Sequence, residues 1–170
     1  MGRQSIKANK SIYQLYREEQ GLTREAASDN MIGISPSRIE KIENGQEPTP
    51  YDVVEMSKCY KRPDLCNYYC TQRCEIGNKY VPKAELTDLP NIIIETIASL
   101  NDITPMTNRL IEIARDGKIS DNEITDFAYI QNKLKQISAA SSCLNMWVDR
   151  MIYDNNINAK KLQDAIDKLN

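Results

Sequence analysis

Between Ile124 and Met151 the apolar residues Ile124, Phe127, Ile130, Leu134, Ile137, Leu144, Trp147, Val148 and Met151 keep to steps of three and four. That spacing lines up side chains along one side of an α-helix, whereas a half-buried strand needs strict alternation. About 30 residues of it predict a helix about 45 Å long. A stripe of that length has to be buried against something of similar length. The chain supplies a candidate upstream, where Ile93, Ile97, Leu100, Ile103, Leu110, Ile111 and Ile113 predict one long helix that Pro105 kinks or interrupts. "RDGKISDNE" then reads as a turn, so the two helices form a hairpin. Asp154–Asn158 breaks the pattern, and a last amphipathic helix covers about Ala159–Leu169.

The first 75 residues are organised differently. Ile12, Leu15 and Tyr16 recur at helical spacing and Gly21 ends that helix. Thr23 caps a second helix with Ala26 and Ala27 as small packing positions. Ser35 caps a third, Pro36 occupies its first position, Ile39 and Ile42 form its buried stripe, and Asn44-Gly45 stops it. A fourth helix runs from Tyr51 to about Tyr60 with Val53, Val54 and Met56 inward. Pro63 opens a fifth, through about Cys74. The expected fold is therefore all-α: a five-helix domain over 1–76, a polar linker over 77–90 extended near Tyr80–Val81, and a helical hairpin with a short terminal helix over 91–170.

Several function classes drop out. The chain has no histidine, which removes Ser-His and Cys-His catalysis and every His-ligated metal site. No Gly-rich phosphate loop and no paired carboxylate motif is present, so an enzyme is not expected. No run is long and apolar enough to span a membrane and no secretory signal is visible, which points to the cytoplasm and to reduced cysteines. The net charge is −2, but residues 1–83 carry 13 Lys/Arg against 11 Asp/Glu and residues 84–170 carry 9 against 13. Arg3, Lys7, Lys10, Arg17 and Arg24 make the start basic, which suits a polyanion-facing end.

Cys59, Cys66, Cys70 and Cys74 fall within 16 residues. Three readings stay open: small core residues, ligands of zinc or an iron–sulfur cluster, and redox-sensitive thiols. Spacing favours the first, since three thiolates along one helix spread over about 12 Å. Otherwise no cofactor is expected. "EIARDGKISDNE" echoes the end of a calcium loop, yet Ala114 stands where a ligand belongs, so it reads as a turn with Asp121 capping the next helix.

"LYREEQGLT", the small Ala26-Ala27-Ser28, "SPSRIEKIENG" and the proline-containing loop before an aliphatic helix carry a resemblance to the Cro/C1-type (XRE) family of DNA-binding domains, over about residues 6–70. "PDLCNYYC" and the later helices also resemble a bacterial branch of that family. The stretch from Thr23 to Ile39 is one residue longer than the usual pattern, which should alter the turn between helices two and three. The resemblance implies a lambda-repressor-like domain in a transcriptional regulator whose third helix (about 35–43) enters the major groove of double-stranded DNA, as a homodimer. It implies base contacts from Pro36, Ser37 and Lys41, and phosphate contacts from Arg24, Arg38 and Asn44. Glu40 also faces outward and would repel phosphate, unless it accepts from a cytosine amino group. The C-terminal half is expected to dimerise the chain or to meet a protein or small-molecule effector. The rival is an antitoxin-like or phage-related adaptor that uses the same scaffold to bind protein.

Overall fold

The computed structural model describes residues 9–101, 103–115 and 117–169, with backbone alone at 103–105. Arg3 and Lys7 of the basic start, and the side chains of Ile103 and Pro105, lie outside the described residues. Among the described residues there are ten helices and no strand. They are α1 Ile12–Glu19, α2 Arg24–Asp29, α3 Pro36–Glu43, α4 Pro50–Cys59, α5 Asp64–Gln72, α6 Glu75–Tyr80, α7 Leu89–Asn101, α8 Ile103–Ile113, α9 Ile124–Tyr153 and α10 Ala159–Asp167.

Capping sets the starts of the first four. Ser11, Thr23 and Ser35 accept hydrogen bonds from the N–H groups of Gln14, Ala26 and Arg38. Thr49 and Asp52 form a reciprocal capping box on α4. Pro36 and Pro50 follow their caps, where the missing N–H has no intrahelical partner to lose. Gly45 stops α3 at φ +106°, a conformation that only glycine adopts without strain.

Helices α1–α5 enclose one core of Tyr13, Ala27, Met31, Ile34, Ile39, Ile42, Val53, Met56, Tyr60 and Leu65. Two faces are turned from the expected ones. On α1, Tyr13, Gln14 and Arg17 are buried while Leu15 is exposed. On α4, Val54 is exposed and Glu55 takes the inward place. In both helices apolar periodicity fails because a polar residue on the inward face finds a hydrogen-bonding partner.

The fifth helix stops at Gln72, short of the expected Cys74, and the chain turns into α6. Residues 77–80, read as the start of a linker, complete that helix. Its N-terminus is capped by the Cys74 sulfur, which accepts from the Gly77 N–H at 3.4 Å. The segment after α6 is strapped down. Asn67 donates to the Pro82 carbonyl and accepts from the Ala84 N–H, both at 3.0 Å. The Cys143 thiol donates to the Glu85 carbonyl at 3.3 Å.

The hairpin is present with two helices on one arm, α7 and α8 on either side of residue 102. Ile92, early in α7, packs with Cys143 and Met146 late in α9. Arg109 on α8 donates to Asp126 near the start of α9 at 2.7 Å. The α7–α8 arm therefore runs antiparallel to α9. In the turn, Glu123 takes the N-cap position and receives the Ser120 N–H and hydroxyl. Asp121, the expected cap, does not fill that role.

Candidate nucleic-acid interface

The outward surface of α3 is built by what holds its other side. Ile39 and Ile42 are 0% and 1% exposed against the core. Glu43, the next residue on that buried side, has no solvent-exposed side-chain surface. It accepts from Arg17 Nε at 2.5 Å and Nη2 at 3.0 Å, and from Arg24 Nε at 2.9 Å. One carboxylate thus joins α1, α2 and α3. Arg17 closes its fork on the Leu22 carbonyl at 2.6 Å, at the end of the α1–α2 turn.

The turn between α2 and α3 is held by hydrogen bonds to both sides. Gly33 turns the chain at φ +73°. The Ser28 hydroxyl donates to the Ile34 carbonyl at 2.7 Å, the Tyr51 hydroxyl donates to the Ile32 carbonyl at 3.0 Å, and the Ile32 N–H donates to Glu55 at 3.2 Å. Met31 and Ile34 drop into the core from the same turn.

With α3 seated this way, Ser37, Glu40, Lys41 and Asn44 are exposed along one outward stripe, and Pro36 is half-buried. Of the three residues expected to reach bases, Pro36 and Ser37 lie in the first turn and Lys41 in the last. The expected phosphate contacts fare differently. Arg24 is held by two carboxylates, Glu43 and, at 3.0 Å, Glu40. Arg38 reaches toward α4, where it donates to Asp52 at 2.6 and 3.2 Å and to the Glu47 carbonyl at 3.2 Å. Asn44 is the C-cap of α3. Of the two cations on α3, Arg38 is paired and Lys41 is not, among the described residues.

Burial by itself pushes the Asp52 carboxyl up. The Arg38 hydrogen bond, the Thr49 N–H and hydroxyl, and the Arg38 charge outweigh it and hold the group below its ordinary value. A depressed folded-state value means that the stabilisation is complete above the unfolded-state value, about 3.9, and is lost as pH falls through the depressed one. Asp52→Asn should therefore be less stable than wild type at pH 7, by about 1–3 kcal/mol for a hydrogen-bonded charged group. That gap should begin to narrow below about pH 4 and close only below the depressed folded-state value. Urea melts at pH 7 and pH 3 measure both.

Sequence reading put Arg17 on the basic, polyanion-facing start, whereas it is buried against Glu43, and it missed Glu43. A signal existed: a glutamate beside Ile42 at helical spacing from Ile39, and an arginine one turn after Tyr13, put charges on apolar stripes, where they must pair. The four cysteines do not converge. Cys59 is half-buried in α4 with its thiol 3.8 Å from the Ala27 carbonyl, while Cys74 caps α6. Among the described residues no three Cys, Asp or Glu side chains stand close enough to share a metal ion. Burial raises the Cys59, Cys66 and Cys70 thiols above their ordinary range. Among the described residues no helix is long and apolar enough to cross a membrane.

Two short helices joined by a pinned turn, the second presenting a polar stripe outward, define a helix-turn-helix module. Residues 14–64 match the family model described as Helix-turn-helix, which supports the resemblance of this segment to DNA-binding domains of the Cro/C1 (XRE) type. No curated protein and no solved structure matches the chain.

Proposed function

We propose that this protein is a sequence-specific transcriptional regulator that places α3 in the major groove, as a dimer on paired half-sites. The observation that carries the reading is the uncovered stripe of α3. Ser37, Lys41 and Asn44 face outward on a helix whose other side is fixed by Ile39, Ile42 and Glu43. Ser37 stands at the end that meets base edges in this docking geometry, and Lys41 follows one turn along the same stripe. Arg24 then acts on phosphate by exchanging its exposed Glu40 partner for the backbone, keeping Glu43 as its anchor. Arg38 orients the α3–α4 corner. Residues 1–76 serve as the DNA-binding domain and 91–170 as the dimerising part.

The adaptor reading has one observation in its favour: carboxylates already neutralise Arg24 and Arg38. Selection from a random duplex library, followed by fluorescence binding over a salt titration, separates the two. Lys41→Ala should weaken binding to the selected site by about 1–3 kcal/mol and lower the salt slope by about one if the contact is to phosphate. Glu40→Gln should strengthen binding, since it removes a carboxylate from the interface and releases Arg24. An unselective library, or affinity indifferent to both changes, refutes the major-groove assignment.

A further inference from the structure

We propose that the groove between α6 and α9 binds a small amphipathic anion, an apolar acyl or aryl body that ends in a single carboxylate or phosphate. The site stands apart from α3 and does not depend on the regulator reading. One wall is α9. Gln131, Leu134, Lys135, Ser138 and Ala139 lie at i, i+3, i+4, i+7 and i+8, so they share one side of that helix. The other wall is the end of α6 and the strap that follows it, residues 78–83. The groove between them holds about 550 Å³. Small-molecule sites span roughly 300–1,000 Å³.

The strap wall is fixed in advance. Gly77 brings α6 onto the Cys70 backbone of α5, and the Cys74 sulfur caps α6. Asn67 holds the Pro82 carbonyl and the Ala84 N–H, and the Cys143 thiol holds the Glu85 carbonyl. A ligand that enters such a groove does not have to order its walls. Apolar surface already stands open there. Tyr80 and Leu134 are 71% and 49% exposed, and Val81 and Pro82 are half-buried. An apolar body laid across them removes that surface from water.

Charge chooses the head group. The lining holds Lys79, Lys83 and Lys135 and no carboxylate. Residues 127–148 of α9 contain two lysines and no Asp or Glu, in a chain whose net charge is −2. Among the described residues neither Lys79 nor Lys135 forms an ion pair, although Glu75 stands one turn before Lys79 on α6; Lys79 lies over the Tyr80 ring at 5.3 Å. Lys83 meets Glu85 at 3.2 Å, but the two side chains are 66% and 79% exposed, where such a pair adds little. A cleft lined by one sign of charge concentrates the opposite one. The groove across the strap differs, because Glu85 and Glu95 there balance Lys83 and Lys133. Length favours a small molecule over a partner helix. From residue 131 to 139 the α9 wall runs about 12 Å, shorter than an average helix of about 17 Å.

Amide NMR titrations of the full chain with octanoate, octyl phosphate, octanol and octyltrimethylammonium test this. Octanoate or octyl phosphate should bind with a dissociation constant of about 1 mM or tighter and shift the amides of residues 78–83 and 131–139. The tighter of the two names the head group. Octanol and octyltrimethylammonium carry the same tail and should bind at least about tenfold more weakly. Lys79→Gln combined with Lys135→Gln should weaken the anion by about tenfold, two exposed charge contacts near the top of their range. Leu134→Glu, which sets a carboxylate in the groove, should abolish binding. Lys133→Gln, across the strap, should change it by less than about twofold. Circular dichroism checks that the helices persist, and if Leu134→Glu loses helix, Leu134→Gln is read in its place. No shift with either anion at several millimolar, octanol binding as well as octanoate, or affinity untouched by the groove variants overturns the proposal. So does an equal loss from Lys133→Gln. These titrations contain no DNA, so their failure leaves the regulator reading standing. If Lys41→Ala keeps its DNA site, the regulator reading fails and the groove stands.

Discussion

Glu43→Ala is expected to cost about 3–5 kcal/mol, the usual penalty for removing one partner of a buried ion pair. Against a typical total of about 5–15 kcal/mol, that is enough to melt the N-terminal helices near physiological temperature. The loss goes beyond one hydrogen bond. Arg17 is 8% exposed at its side chain and would keep only the Leu22 carbonyl as a full partner, a buried cation with most of its donors unmet. Arg24, at 32%, keeps Glu40 and water and suffers less. A double variant separates pairing from packing. Arg17→Met with Glu43→Leu removes both charges and fills the space, so it should be more stable than Glu43→Ala alone. Urea denaturation followed by circular dichroism measures both. A Glu43→Ala loss under about 1 kcal/mol would show that the carboxylate does not hold the three helices together.

Gly77→Ala should be nearly as damaging through steric contact rather than charge. A Cβ at residue 77 would sit 2.3 Å from the Cys70 carbonyl oxygen and 2.8 Å from its carbon, both backbone atoms in α5. Neither can swing aside as a side-chain tip could. The helices α5 and α6 would have to separate, at about 3 kcal/mol, the upper end for overpacking. The expected readout is a lower thermal midpoint and faster proteolysis around residues 72–82, since α6 loses its seat while Asn67 still straps Pro82 and Ala84. An unchanged midpoint would mean that α6 does not pack on α5 this closely.

The helices around α3 were legible because their signals are local. Ser35, Pro36 and Asn44-Gly45 fix where α3 starts and stops through bonds within a few residues, and Ile39 with Ile42 fix its buried side. The long α9 was legible for the same reason, its stripe repeating over many turns. What proved misleading was reading apolar residues as inward wherever they were periodic. Leu15, Val54, Ile93 and Ile97 are periodic and exposed, because burial depends on what lies across from a residue. The roles of Arg24 and Arg38 were hidden similarly: a cation near a helix N-terminus looks ready for phosphate until a carboxylate from another helix is found beside it.

By itself the sequence determined the all-α composition, the helix-turn-helix segment, the seating of α3 on two isoleucines and the hairpin that follows. Those features arise from capping, from 3.6-residue periodicity and from turn residues, all of which act over a few positions. Only the tertiary structure decided that Glu43 binds α1 and α2 to α3, that Arg38 serves the α4 corner, that Tyr51 and Glu55 hold the α2–α3 turn at Ile32, and that α6 abuts Cys70. Each of these joins residues on different elements. Their partners are set by how helices pack, and packing is a property of distance in space that no spacing along the chain encodes.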